Sequence, residues 1–537
     1  MNNSPENIFG QYREGISYKK SIGRLGLYEQ SRINERFFAG DQWNGAGCGT
    51  ERPLVRHNVI KRIGNFKMSH LAAANISINY SAEGLTDTRA DREKLKKLKA
   101  EFAKNSSVIY SPLSCDNEMG MVVSALNSYR EVTAARVELN KKLDKALRQA
   151  YITGSGVIYT YFDPFLKTGL YADKIGGTPI LGDIVCENIG IESIYFADPG
   201  CLELQKQPYI ILAERKKVED IVFEGKRFGM SSTQLERIKD EGDGKATLLT
   251  KLFKKTDLDG ETKIFAVKVC ENAVVRAEWD IGVRMYPIAI FNWESRSHIY
   301  GDSEVTYLIP NQIAINRMIT AGVWATMSAG MPLMLVNGDL VDKEISNDPG
   351  QIIKVYGDAE QIKTAVSYVE PPSFTDAYQS TVNQLIYNTL AQSGANESSL
   401  GDGEANNTSA IIELREAAAT QLTTLKHSFY GFVEDIARIW AEFFVNHYGK
   451  RCLKVSDENG VWYFPFDSKR YKDVLFSVSV TAGEKLGRGE AETVEVLNRL
   501  LDKGAISPAQ YLRRLPKGIM PDAENLAEEI EEGKYDG

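Results

Sequence analysis

Gly154-Ser155-Gly156 sets a serine between two glycines, but it lacks the five-residue elbow of a hydrolase and reads as a helix stop. Gly401-Asp402-Gly403-Glu404 is a glycine-rich turn without the Gly-Lys-Ser/Thr that cradles a phosphate. The carboxylate pairs Asp402/Glu404 and Glu528/Glu529 carry the oxygen ligands a divalent cation takes, yet a lone acidic cluster is a thin basis for a metal site. The histidines His57, His70, His298, His427 and His447 include no HExxH and join no His/Cys cluster, so zinc chemistry has no support. Cys48, Cys115, Cys186, Cys201, Cys270 and Cys452 never form a CxxC pair, and free thiols in a reducing compartment are expected. The expectation is a protein that is not an enzyme and holds no cofactor or metal.

One polar segment stands apart. Gly394–Asn407 (GANESSLGDGEANN) carries Asn396, Glu397, Ser398, Ser399, Leu400, Asp402, Glu404, Asn406 and Asn407, with no Lys or Arg. A loop of about fourteen residues between helices is uncommon unless it has a task. Two readings stay open: a plain surface loop, or a mobile, non-basic element facing a passing polymer.

The elements around that loop form a recognisable order. Asp302–Ala329 has helical apolar spacing through Leu308, Ile309, Ile313, Ile315, Ile319 and Val323, and would reach roughly 42 Å, with Pro310 kinking it or resetting its start. Leu333–Val336, Gln351–Val355 and Thr364–Val369 are short strand candidates in a compact segment closed by Pro371-Pro372. Phe374–Ser393 is helical again. Thr408–Gly449 keeps three/four apolar spacing from Leu414 to Tyr448, a helix of roughly 60 Å.

Upstream, residues 1–80 read as helix, loop, helix and a short strand, with helices from Gly26–Ala39 and around Val59–Leu71. Arg89–Ala103 is a charged helix pattern; its KLKKLK run could bind phosphate, but nearby Glu93 and Glu101 favour a solvated face. Glu131–Ile152 reads as one helix. From Val157 the period changes to strands, with Asp198-Pro199-Gly200 and Asp257–Gly260 as turns. Val474–Thr481 is a further strand, Glu490–Asp502 a helix, and Ser507-Pro508 opens another before an acidic tail. The fold class expected is α+β with several structural units, since 537 residues exceed what one core usually supports.

The bulk figures bound the partners. A hydrophobic share of 43% and a charged share of 25% describe a folded chain, and no apolar run is long enough for a membrane span. The N-terminus MNNSPENIFGQYREG has no signal pattern, which points to the cytoplasm. The net charge of −8 argues against a tight nucleic-acid binder but not against a wall past which DNA slides.

Several pieces together resemble the portal proteins (head-to-tail connectors) of tailed double-stranded DNA phages, those of Gram-positive hosts above all. They are NERFFAGDQW with RPLVRHNVIKRIGNFKMSHLAA, SIYFADPG, YPIAIFNWESRSHIYGDSEVTYLIPNQIAINRMI, SGANESSLGDGEANNTSAIIELREAA and GAISPAQYLRRLPKG. The resemblance implies a wing over residues 1–301, stem helices over 302–329 and 373–393, and a clip over 330–372 between them. It implies a tunnel loop over 394–407, a long wing helix and returning strand over 408–483, and a crown with an acidic tail over 484–537. The nine loop residues named above would then line the DNA channel.

By the same resemblance, about twelve copies form a ring at one capsid vertex, in a virion assembled in the host cytoplasm. The implied partners are the terminase large subunit, the major capsid and scaffold proteins, head-completion or adaptor proteins, and double-stranded DNA, with no membrane. Lys343, Lys354 and Lys363 fall in the clip and could face the motor, other subunits or solvent. The alternatives are a non-portal phage structural adaptor or tail-ring component, and a nucleic-acid-modifying enzyme, for which the sequence offers no catalytic residues.

Overall fold

Local chemistry sets the helix ends. Pro5–Ser21 begins where the Ser4 side chain accepts from Asn7 N, with proline in the first turn, where a missing N–H costs least. Leu27–Ala39 stops at Gly40, whose φ of 98° allows its N–H to turn back onto the last carbonyls. The computed structural model of the chain describes residues 3–43, 54–72, 75–81, 118–171, 179–256, 262–329, 334–341, 354–368, 376–395, 422–457, 460–468, 477–483 and 490–515, with Thr420 and a few positions from 520 to 530. These residues form a mixed α+β architecture.

Two antiparallel sheets carry the strand-rich part. Ser155–Tyr171 lies between Pro179–Ile189 and Ile288–Asn292 in a three-stranded sheet. Ile194–Phe196, Tyr209–Lys217, Lys245–Thr256, Thr262–Cys270 and Ala273–Asp280 make a five-stranded meander in chain order. The strands expected from Val157 onward fall in both sheets, because alternation and turn residues are local signals. Ser155–Tyr171 and Lys245–Thr256 nevertheless run well past the VIYTYFD and KLFKKT stretches that alternate, and helix Val218–Arg227 interrupts the strands unannounced. Asn75–Ser81 pairs antiparallel with Ser477–Gly483, so a late segment of the chain returns to the N-terminal part.

The main core is built around the helix Thr423–His447. It buries Phe429, Phe432, Val433, Ile436, Trp440, Phe443 and Phe444 on the three-stranded sheet side, with the Phe291 ring 5.4 Å from that of Phe429. A buried carboxylate pins the C-terminal end of that helix. Asp183 accepts from Tyr448 Oη at 2.6 Å and from Ile184 N at 2.7 Å, and pairs with Arg136. Arg451 lies over the Tyr448 ring and donates to the carbonyl of Gly182 at 2.7 Å.

The structure departs from the periodicity in several places. Glu131–Ile152 is not one helix: Glu118–Arg136 and Leu139–Thr153 meet at Glu138, whose φ of 53° and ψ of 49° break the spiral. Of the helix expected over Thr408–Gly449, residues 408–419 and 421 lie outside the described ones; buried Leu422 stands in a turn, and the helix Thr423–His447 starts after it. Pro310 lies inside Glu304–Ala329, which runs as one helix and does not start afresh there. Helix Pro5–Ser21 and the hairpin of Lys450–Asp457 with Gly460–Asp467 are additions that spacing does not announce.

Candidate functional site

Glu304–Ala329 and Asp376–Gln392 form an antiparallel hairpin that is fixed at one end and bare at the other. Asn311 Nδ2 donates to Thr389 Oγ1 at 3.3 Å near the base. Farther out, Tyr378 Oη donates to the Met318 carbonyl, and its ring covers Gly322, where a Cβ would lie 3.2 Å from Tyr378 Cε1. The small residue lets the two helices approach.

The base is held by side chains at intervals of four or eight residues, which follow one inclined ridge of the helix. Glu304 Oε1 accepts from Lys67 Nζ at 2.6 Å, and Glu304 Oε2 from Trp293 Nε1 at 3.0 Å. Gln312 Oε1 accepts from Val59 N at 2.9 Å, while its Nε2 donates to the His57 carbonyl at 2.6 Å and to Asn316 Oδ1 at 2.9 Å. Asn316 accepts from His57 N and donates to Gln42 Oε1 at 2.6 Å, and Thr320 Oγ1 accepts from Val55 N at 3.0 Å. Residues 42 and 55–67 are therefore held to one ridge of the helix. Spacing alone marks Leu308, Ile309 and Ile313 as the packing face; a polar ridge beside them was the signal to read.

Beyond Asn316 burial fades, and none of the described side chains from Arg317 to Met327 is fully buried. Arg317 is the only charged residue from Val305 to Ala329, and Asp376 the only one in the partner helix. A helix pair meant for water normally shows charges on its open side. This one shows Val323, Trp324, Met327 and Tyr387, with Trp324 at 36% exposure and Met327 at 49%. The small unit between the helices continues the pattern. Met334–Val336 pairs with Val366–Tyr368, and helix Ala359–Thr364 is closed by a capping box of Asp358 and Gln361. Leu335, Val336, Tyr356 and Ile362 are exposed on it, Leu335 at 58%. Half of the exposed large apolar side chains among the described residues lie between Tyr307 and Tyr387. Such a concentration marks an interaction surface.

The far end of Asp376–Gln392 leads into the polar segment 394–407, of which Gly394 and Ala395 are described. Gly394, φ 76°, donates to the Ala391 carbonyl at 3.1 Å and Ala395 N to the Leu390 carbonyl at 3.1 Å, a Schellman closure. Leu390 and Ala395 both sit in the main core, so the chain leaves for the loop from a fixed point.

Lys354 and Lys363 are exposed on the small unit. Lys343 lies outside the described residues, as do Asn396, Glu397, Ser398, Ser399, Leu400, Asp402, Glu404, Asn406 and Asn407. The Glu528/Glu529 pair and the Arg89–Ala103 segment lie outside them too. Gly154-Ser155-Gly156 is a helix stop: Gly154, φ 96°, donates to the Ala150 carbonyl, and Ser155 Oγ accepts from Gly301 N at 2.9 Å. Among the described residues, no His/Cys/Asp/Glu group is arranged to hold a metal ion, and no helix is long and apolar enough to cross a membrane.

Comparison with models of protein families and with curated proteins finds no match to this chain.

Proposed function

We propose that this chain is the subunit of a phage portal: a ring of about twelve copies at one capsid vertex that passes double-stranded DNA and docks the packaging motor. The observation that carries the reading is the hairpin of Glu304–Ala329 and Asp376–Gln392. It is rigidly rooted, almost free of charge and apolar on its open side, with a small β unit at its turn. Copies of such a hairpin side by side would bury Val323, Trp324 and Met327 against one another and leave a wall of Asn, Gln, Thr and Ser toward a central hole.

The charge supports the same reading. At −8 per copy a ring is strongly acidic, and it repels phosphates, so a duplex can slide without sticking. Loop Gly394–Asn407, rooted at Ala395, would supply exchangeable polar contacts to the moving duplex, while the small unit bearing Lys354 and Lys363 would face the motor. The chain would itself carry out no hydrolysis.

Electron microscopy of the purified protein, with end-on views sorted by rotational symmetry, tests the proposal. Rings with a central hole and about twelve-fold symmetry support it. Monomers or closed dimers at high concentration, with or without a scaffolding partner, would sink it. Deleting Glu397–Glu404 should leave rings intact and impair DNA packaging or retention; a deletion mutant that fills and holds full genomes would remove the loop from the channel.

A further inference from the structure

Lys19 is the most unusual cation of the body. Its side chain is fully buried, although it belongs to the N-terminal helix Pro5–Ser21. Lys19 Nζ donates to the carbonyls of Ile191 at 2.7 Å and Glu192 at 2.9 Å. Three tyrosine rings surround it: Tyr195 at 3.7 Å from the ring centre, Tyr300 at 5.4 Å and Tyr28 at 5.7 Å. Two carbonyl acceptors and three π faces are the features of a built site for an amine head.

The N-terminal part of the helix that carries Lys19 rests on a core of its own, while Tyr18 packs on the edge of the main core with its ring 6.3 Å from that of Tyr300. Ile8 and Phe9 join Tyr195, Ile211, Leu249, Phe253, Val267 and Val269 of the five-stranded sheet in a cluster separate from the main core. Gly15 lies flat on Tyr195, where a Cβ would come within 2.8 Å of Tyr195 Cδ1. The link that follows contains Gly23 and Gly26 at φ 63° and 79°, conformations that glycine adopts without strain. Beyond the cage, polar ties between this end of the chain and the sheet include the exposed Arg13–Glu271 pair and the bonds of Asn3 to Lys251 and Glu278. Burial holds the Lys19 amine well below the ordinary lysine pKa, with Glu192 opposing the shift. Docking therefore carries a desolvation cost that the carbonyls and rings offset.

We infer that Pro5–Ser21 is a strap over the outer face of the five-stranded sheet, latched by the Lys19 amine in the Tyr28–Tyr195–Tyr300 cage, and that it opens as a unit without unfolding the body. The opened strap uncovers Tyr195, Ile211, Leu249, Phe253 and Val267, a sheet face that is otherwise sealed. This inference does not depend on the portal reading.

Hydrogen exchange followed by mass spectrometry on the full chain tests it. In the wild type, amides of 5–21 should exchange through an opening that needs less denaturant than those of Thr423–His447. Lys19→Ala should lower protection in 5–21 by at least about tenfold, with the helix Thr423–His447 unchanged. n-Propylamine, the fragment that Lys19→Ala removes, should restore that protection by refilling the cage, and n-propanol, with a single donor for two carbonyls, should not. Lys19→Met, which fills the space without donors, should stay open and be deaf to the amine. The inference falls if the strap exchanges only with global unfolding, if Lys19→Ala is as protected as the wild type, or if propanol rescues as well as propylamine. Should Lys19→Ala fail to fold, the wild-type denaturant series and Lys19→Met decide by the same criteria.

Discussion

Lys67 Nζ and Glu304 Oε1 stand 2.6 Å apart, with side chains only 11% and 9% exposed, at the point where the long helix leaves the body. The second carboxylate oxygen is taken by Trp293 Nε1, so a helix start, an earlier helix and a strand end meet on one charge. Removing one partner leaves the other buried and uncompensated. Lys67→Met or Glu304→Leu should each cost about 3–5 kcal/mol in denaturant unfolding. The double variant Lys67→Met/Glu304→Leu should recover a large part of that loss. A double-variant loss equal to the sum of the two single losses would mean that the pair does not act as a unit.

Two glycines cross where the same helix begins. A Cβ on Gly154 would lie 2.1 Å from the Gly301 carbonyl oxygen, and Gly154 has φ 96°. Gly154→Ala should therefore destabilise the chain by about 2–4 kcal/mol in urea. Gly431 offers the contrast: it sits inside Thr423–His447, and a Cβ added there would meet nothing within 4 Å. Gly431→Ala should stabilise by about 0.5–1 kcal/mol.

Trp324 and Met327 keep much of their surface open within one copy, so replacing both with Ser should shift the unfolding free energy of the isolated chain by only about 0.5 kcal/mol. The same change should abolish rings, read by light scattering and by end-on particle views. Intact rings in Trp324→Ser/Met327→Ser would take this face out of the interface.

His447 is stacked on Phe162 at 4.8 Å, and its Nε2 lies 2.6 Å from the Ile281 carbonyl. Burial lowers its pKa from the ordinary histidine value, with the Ile281 carbonyl and Asp280 opposing. His70 is lowered as well, by burial and then by Lys426. For both, the unfolded state takes up a proton more readily, so stability is retained above about pH 6.5 and lost as pH falls below it. Glu192, Glu294 and Asp435, whose pKa values are raised mainly by burial, act in the opposite direction. The difference between wild type and His447→Gln isolates the histidine. It should shrink as pH falls from about 7.5 to 5; a difference independent of pH would contradict the assignment.

Much of the architecture is written in short-range patterns. Asp302–Ala329, Phe374–Ser393 and the positions of the strands from Val157 to Trp293 can be read from three/four spacing, alternation and turn residues. The two helices found there differ by few residues, while strands Ser155–Tyr171 and Lys245–Thr256 extend further and helix Val218–Arg227 is added. Alternation is a property of neighbours along the chain, so it survives whatever the chain later packs against. Within Leu333–Val336 and Thr364–Val369, Met334–Val336 and Val366–Tyr368 pair, and of Gln351–Val355 the described residues include Val355, which bridges Val341.

The absence of catalytic spacings, the order of helix, β unit, helix and polar loop, and the acidic balance are determined by the amino-acid sequence alone. What it leaves open are pairings across hundreds of residues: Lys67 with Glu304, Gln312 with His57, Asn75–Ser81 with Ser477–Gly483, Lys19 with the Tyr28–Tyr195–Tyr300 cage. A polar side chain on a helix carries the same local signal whether it faces water or a buried partner. Only tertiary structure decides, because burial makes an unmet hydrogen bond costly and so selects the one packing in which Gln312, Asn316 and Lys19 all find acceptors and donors.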